Sequence, residues 1–513
     1  MNDNFFYIHR GWLAKVYQRQ KEMEFIIALV VRSLMVSYAF FRNLVFPVRP
    51  NEEVVALGRA IDELGQEQGI IGLLDSEVRK HVHIIGGTGR GKTTLLVNIA
   101  IQLMLLKRSL VIIDPKGDLV DAVLSFIPPD RFEDVILFDP TDRMYPLAFN
   151  IFESVPAAER SRVAGEILLI FKKISSQGSW GPRLESVLRL AILALLEVPG
   201  STLLDLYFFL TDNTYRMALL QKVTDPFVKE FWTKQFATMK DSQQDQAINP
   251  ILNKVEPWLS YEEARCVLGQ SNSSFSLREA IDTGKIILVR IPQGILGEDL
   301  SALIGALVVT KLQMEVMGRA TLPLAERRLV HLLVDEFQNF TTSSFEQILS
   351  EARSFGLSIL CANQFAGQLA PELMQSLENN CAVRLTCHME GYSHLVQFQL
   401  LQDIHQPELW IRPLLPPRNG SDEIAKSVRY ISQLKYGTEA ADVAAQLALK
   451  HWLRTHPEQF LLPSEQEHTA RASHNAQPVQ PSGSPNPQQK PSVMQYGRSK
   501  KAQTQAAQAS GQE

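Results

Sequence analysis

The stretch from His83 to Thr94 reads His-Ile-Ile-Gly-Gly-Thr-Gly-Arg-Gly-Lys-Thr-Thr, and its residue types and spacing suit the phosphates of a nucleotide. From Gly86 the pattern is G-x-x-x-x-G-K-T, a phosphate-binding loop. Gly86, Gly89 and Gly91 can take backbone angles that turn successive N–H groups around one anion. The positive end of a following helix adds to that hold. Lys92 brings a point charge to the β and γ phosphates, and the Thr93 hydroxyl can ligate Mg²⁺. The nucleotide-binding set is therefore Gly86, Gly87, Thr88, Gly89, Arg90, Gly91, Lys92, Thr93 and Thr94, with ATP and Mg²⁺ as the expected ligands. The plainer alternative is a glycine-rich turn that only joins two elements. The apolar run before the loop and the helical sequence from Thr94 to about Leu106 favour the phosphate site.

Further along, Leu332-Leu333-Val334-Asp335-Glu336 is an apolar strand with two carboxylates at its end. One carboxylate in that place can hold Mg²⁺ and the other can polarise an attacking water. Asp335 is assigned to the metal and Glu336 to general-base work. Such a pair points to hydrolysis rather than to a small-molecule kinase, for which no acceptor site is visible. Gln364 closes another apolar run, where an amide can sense the γ-phosphate or simply cap a turn. Arg353 sits at the end of a helix just before that run. It can be a finger reaching a neighbouring subunit's γ-phosphate, or a cation on its own helix dipole.

These residues need a sheet to bring them together. Short apolar runs at His83–Ile85, Leu110–Asp114, Val135–Phe138, Lys285–Ile291, Leu329–Val334, Leu357–Ala362 and Cys381–Leu385 alternate with helical sequence. About seven strands in this arrangement predict a mainly parallel α/β sheet, with Cys381–Leu385 as its edge. Residues 51–75 read as a linker and a short helix. From 151 to 283 the pattern is helical throughout, with candidates at Pro182–Leu195, Thr202–Leu210, Tyr215–Lys222, Pro226–Met239 and Asn249–Leu259. The expected division is an N-terminal helical segment 1–75, a nucleotide-binding domain 76–400 carrying an all-α insertion 151–283, a helical region 401–462 with a break at Gly437, and a tail 463–513. That tail is rich in Gln, Ser, Pro and Ala and is expected to be disordered.

Composition sets the outer limits. A chain of 513 residues, 45% hydrophobic and 21% charged, is that of an ordinary globular protein with several domains. A net charge of −4 gives no overall nucleic-acid signature, so any basic surface must be local. Cys266, Cys361, Cys381 and Cys387 form no C-x-x-C pair and fit reduced core thiols. Arg32 and Arg42 interrupt the apolar stretch 25–47, and a mid-helix Arg costs roughly 2.5–3.5 kcal/mol on insertion. Residues 1–50 carry seven basic and three acidic side chains among Phe5, Phe6, Trp12 and Tyr17. They read as an amphipathic segment on a membrane surface or as a helix packing on the body or a partner, ahead of a spanning helix.

Several motifs in order carry a resemblance. Asp114-Pro115-Lys116-Gly117-Asp118, Asp139-Pro140, Trp180-Gly181-Pro182-Arg183, Val334 to Phe340, Glu351 to Leu357 and Ala362-Asn363-Gln364 follow one another as in the conjugative type IV coupling proteins. These are the TraD/TraG-like ATPases, relatives of the HerA–FtsK DNA pumps, and the likeness runs from about 75 to 390. It implies a RecA-like nucleotide-binding core with an all-α domain and a homo-hexamer at the inner face of the cytoplasmic membrane. It also implies ATP-driven transfer of single-stranded DNA, with its relaxase and the relaxosome proteins, into a type IV secretion channel. In that family Arg353 falls where a finger acting in trans is placed, and Gln364 where a sensor is placed. The interrupted stretch 25–47 departs from the family's two membrane helices. Two other readings stay open: a HerA-like cytosolic motor for DNA processing or packaging, and a nucleotide-gated platform that recruits the relaxosome.

Overall fold

The computed structural model describes residues 54–456, apart from 63, 154, 175–179, 342–344, 391–392, 402–408 and 418–419. The expectations for the basic segment 1–50 and the tail 463–513 lie outside the described residues. Eleven strands form one sheet: β1 (Val54–Ile61), β2 (Glu67–Leu74), β3 (Val82–Ile85), β4 (Ser109–Asp114), β5 (Val135–Phe138), β6 (Ile286–Arg290), β7 (Val330–Val334), β8 (Leu357–Asn363), β9 (Val383–Glu390), β10 (Ser393–Leu400) and β11 (Leu409–Pro413). Their order is β2-β1-β11-β10-β9-β3-β8-β7-β4-β6-β5.

From β9 to β5 the neighbours are parallel, and these are the seven strands expected from the apolar runs. Helices separate them in sequence, as parallel crossovers require. The α/β class with a mainly parallel, RecA-like sheet is as expected. β4, β7 and β8 are buried along their whole length, which is why they read as mostly apolar runs rather than alternations. Odd and even residues still part company. Val111, Ile113, Leu332, Val334, Ile359 and Cys361 belong to the core shared with the helices of 151–283. Leu110, Ile112, Leu333 and Leu360 face the helices Lys92–Leu105 and Asp118–Leu124 on the other side.

Several expectations are corrected. Residues 51–75 hold no linker and helix across most of their length; β1 and β2 are an antiparallel hairpin. Asp62 makes its turn by accepting from the N–H groups of Leu64 and Gln66, and Gly65 takes φ +75°. Gly58 and Gly72 lowered the strand signal but serve close approach, since a Cβ on Gly58 would lie 2.2 Å from the Arg412 carbonyl oxygen. Secondly, β9 is no edge, because β10 pairs with it and β11, β1 and β2 continue the sheet antiparallel. Ser393 and His394 at its start and Gln397 and Gln399 at alternate later positions hid β10 from an apolar-run search. Thirdly, the phosphate-loop helix begins at Lys92 rather than Thr94 and ends at Leu105. Its Gln102 amide donates to the Ala56 carbonyl at 2.8 Å and accepts from the Ala56 N–H at 2.8 Å, which fastens the hairpin to the helix.

Between β5 and β6 the described residues of 151–283 are helical. They run Arg160–Ile174, Pro182–Glu197, Leu203–Thr211, Asn213–Lys222, Pro226–Glu230 with a π-helical turn Phe231–Phe236, Asp241–Ser260, Glu262–Leu268 and Leu277–Thr283. Pro182 opens its helix, and Thr202 caps the next with Asp205. Glu298–Met317, extended to Thr321, is the helix among the described residues that is long and apolar enough to cross a membrane; 78% of its most apolar window is buried inside the protein. It packs against Arg160–Ile174, and a Cβ on its Gly305 would strike the Phe340 ring at 2.3 Å. The region 401–462 is not helical throughout, since β11 within it belongs to the sheet; after β11, helices Asp422–Tyr436 and Ala440–Thr455 are separated at Gly437, as expected. Arg429 of the first pairs with Asp121, and Lys450 of the second reaches Asp205 at 2.6 Å.

Candidate nucleotide-hydrolysis site

Registers place the chemistry. Ile85 of β3 lies beside Asn363 of β8, Cys361 of β8 beside Val334 of β7, and Val334 beside Ile113 of β4. The carboxyl ends of four parallel strands therefore deliver the loop 86–91, Gln364, Asp335-Glu336 and Asp114-Pro115-Lys116 to one edge. That edge is where ligands sit in open α/β sheets.

The loop needs its glycines in three places, one of them Gly89 with φ +75°. Gly91 starts the helix with φ +86°, a left-handed angle that a side chain resists, and its Cβ would lie 3.3 Å from the His394 ring. A Cβ on Gly86 would sit 2.7 Å from that of Cys387. Thr88, Gly89 and Arg90 form the exposed rim, while Gly87, Gly91, Thr93 and Thr94 are half-buried.

Lys92 is only 6% exposed, and its Nζ lies 3.0 Å from both Asp335 Oδ1 and Glu336 Oε1. Glu336 Oε1 also accepts from Lys116 Nζ at 2.6 Å and Gln364 Nε2 at 3.1 Å, and Oε2 accepts from Gln338 Nε2 at 3.0 Å. Burial pushes the Glu336 carboxyl up. The hydrogen bonds from Lys116, Gln338 and Gln364 and the Lys92 charge outweigh it and hold the group at about 2. Lys116 answers in kind: burial alone would lower it, but the Glu336 hydrogen bond and the nearby carboxylates raise it.

Glu336 has φ +46° and ψ +46°, left-handed for a residue with a side chain. Such an angle costs on the order of 1–3 kcal/mol and persists where the surroundings over-determine it. Here the Asp335 carboxylate accepts from the Glu336 N–H at 3.0 Å, and the turn Phe337–Asn339 follows with Phe337 and Phe340 buried. Asp114 sets the neighbouring turn by accepting from the N–H groups of Lys116 at 2.9 Å and Val120 at 3.0 Å. Burial raises its carboxyl, with those bonds opposing.

Lys92, Asp335, Glu336 and Gln364 are thus brought together. Arg353 is not. It is exposed and precedes the start of β8, whereas Gln364 follows its end, a separation of roughly 20 Å for seven extended residues. Burial pushes His81, at the far end of β3, down to about 4, and the Arg353 charge adds to that. Arg353 therefore cannot serve its own subunit's loop. Sequence reasoning missed Lys116 and Gln338 as partners of Glu336. The Asp-Pro-Lys-Gly-Asp run was visible, but the direction of its lysine depends on the capping by Asp114.

Because the folded carboxyl of Glu336 lies below the ordinary glutamate range, its ion pairs stabilise the protein above that range. The contribution fades as pH falls towards 2. Acid unfolding of the wild type against Glu336→Gln, followed by circular dichroism, should show a stability gap that closes on acidification. A gap that stayed constant with pH would contradict this.

A family profile described as the type IV secretion-system coupling protein DNA-binding domain matches residues 66–394. Among solved structures the chain is similar to the plasmid coupling protein TrwB in complex with ADP and Mg²⁺. The identity is 17% over 74% of this chain and 91% of that one, with a TM-score of 0.44. It is also similar to VirB4 of Thermoanaerobacter pseudethanolicus, at 14% identity over 65% and 84% of the two chains and a TM-score of 0.43. No curated protein matches it. The family profile spans more than half of the sequence, and the chain belongs to the type IV secretion-system coupling proteins through their DNA-binding domain.

Proposed function

We propose that this chain is an ATP-hydrolysing motor that moves DNA for a type IV secretion system. The observation that carries the chemistry is Lys92 held between Asp335 and Glu336 at the foot of the phosphate loop. Two carboxylates keep the ammonium in a mostly buried place, and a triphosphate supplies the replacement anion that draws it away. The loop's N–H groups and Lys92 bind the β and γ phosphates. Glu336 accepts the proton of the attacking water, and Gln364, 3.1 Å from it, orients that water or contacts the γ-phosphate.

The donors Thr93 Oγ1 and Asp335 are hard oxygens and fit Mg²⁺. Among the described residues no group of three or more His, Cys, Asp or Glu side chains could hold a metal ion. That suits an ion whose other ligands are phosphate and water. When bound, Mg²⁺ would neutralise phosphate charge; Thr93 and Asp335 would hold it.

The position of Arg353 supports a finger acting in trans. It is exposed and roughly 20 Å of strand away from its own site, so only a neighbour's nucleotide lies open to it. That reading requires a ring, and a homo-hexamer is the form we infer. Single-stranded DNA, a relaxase with its relaxosome and the secretion channel's own components are the proposed partners. The aromatic and basic stretch 1–50 supports a place at the inner face of the cytoplasmic membrane.

ATP turnover with and without single- or double-stranded DNA tests the motor. Single-stranded DNA should raise the rate several-fold, and Lys92→Ala should abolish turnover while the native circular dichroism spectrum is retained. No response to either DNA would contradict the motor and favour a recruitment platform. For the finger, mixing Arg353→Ala with Glu336→Gln subunits should recover part of the activity that each has lost. Mixtures no more active than the separate variants would exclude action in trans.

A further inference from the structure

Lys173 stands outside the site described so far. It lies near the end of helix Arg160–Ile174, the first helix of the 151–283 stretch, and its Nζ donates to the Gln338 carbonyl oxygen at 3.0 Å. Gln338 in turn donates through its side chain to Glu336 Oε2 at 3.0 Å. We propose that Lys173 is a positioning residue for hydrolysis, tying the helical stretch through Gln338 to the Glu336 carboxylate.

Three features support this. An ammonium spent on a main-chain carbonyl is costly when desolvated, and burial pushes Lys173 down to about 7. A plain surface cap would bear no such cost. Next, the residue between the two hydrogen bonds is pinned. Phe337 and Phe340 are buried on either side, the Asn339 N–H donates to the Glu336 carbonyl at 3.0 Å, and the Phe340 N–H donates to that of Phe337 at 3.0 Å. A shift of Lys173 thus has little slack to absorb it before Gln338 turns. Finally, Glu336 sits at a left-handed angle that depends on its surroundings, so a small push on the turn changes where its carboxylate points. The helices 151–283 are joined to the sheet edge at this point by a hydrogen bond as well as by apolar packing. Movement of those helices, on DNA under the function proposed above, would then alter the orientation of the general base.

The test compares full-length wild type, Lys173→Met, Lys173→Arg, Gln338→Ala and the Lys173→Met/Gln338→Ala pair. Steady-state ATP turnover should show kcat about tenfold lower in Lys173→Met, with KM within about twofold and an unchanged melting temperature. Lys173→Arg should restore most of the rate. The double variant should be no slower than the slower single variant, because both act along one path. Amide exchange across 335–340, which needs no turnover, should quicken in Lys173→Met and not in Lys173→Arg. Wild-type kcat and exchange in Lys173→Met, additive losses in the pair, or a fall in melting temperature that Arg does not rescue would each overturn the proposal. If DNA fails to stimulate even the wild type, the motor reading falls. The kcat and exchange comparisons without DNA still decide the role of Lys173.

Discussion

Lys92 and two carboxylates share one buried place at the edge of the sheet, and the more exposed Lys116 closes it from outside. Taking an ion out of water costs several kcal/mol unless a partner repays it. Lys92, Asp335, Glu336 and Lys116 repay one another only because four strand ends meet there in register. A one-residue slip of β7 against β4 would turn Asp335 and Glu336 to opposite faces and strand an ammonium in the core. The rest of the parallel sheet can be understood as what holds Lys92 at 3.0 Å from both carboxylates and Lys116 at 2.6 Å from Glu336.

The same constraint explains the neighbouring polar residues. Glu336 Oε1 receives three donors and Oε2 a fourth, so Oε1 is fully occupied while Lys92 and Lys116 stay in place. A carboxylate so occupied is a poor base for water. Withdrawal of Lys92 towards phosphate would free part of Oε1, which couples binding to readiness for hydrolysis. The Asp114 turn, which aims Lys116, leads into helix Asp118–Leu124, where Asp121 is gripped by Arg290 and Arg429. The C-terminal helix Asp422–Tyr436 is therefore anchored one turn away from the site.

The central strands and the site pair were legible because burial on both faces writes itself as nearly continuous Val, Ile and Leu, as in Leu110–Ile113 and, but for His331, Val330–Val334. Glycine spacing told the loop from an ordinary turn at Gly86–Thr93. Strands with one open face were not legible. β10 alternates Gln397 and Gln399 with Val396 and Phe398, and β1 and β2 carry glycines that serve backbone approach rather than propensity. Within the site, residue types were readable but directions were not. Lys116 and Gln338 reach Glu336 from turns set by local hydrogen bonds, and Lys173 reaches Gln338 from a helix far away in the sequence. Arg353 shows the converse case. Its motif was plain, yet only the run of β8 separates it from its own loop.

The lysine–carboxylate cluster as a resting state that nucleotide opens is the central claim, and a structure of the full chain with Mg²⁺ and a non-hydrolysable ATP analogue tests it most directly. The account predicts Lys92 Nζ on the β and γ phosphates, Thr93 and Asp335 at the metal, and Glu336 released by Lys92. Lys92 still bridging Asp335 and Glu336 with nucleotide bound would contradict it.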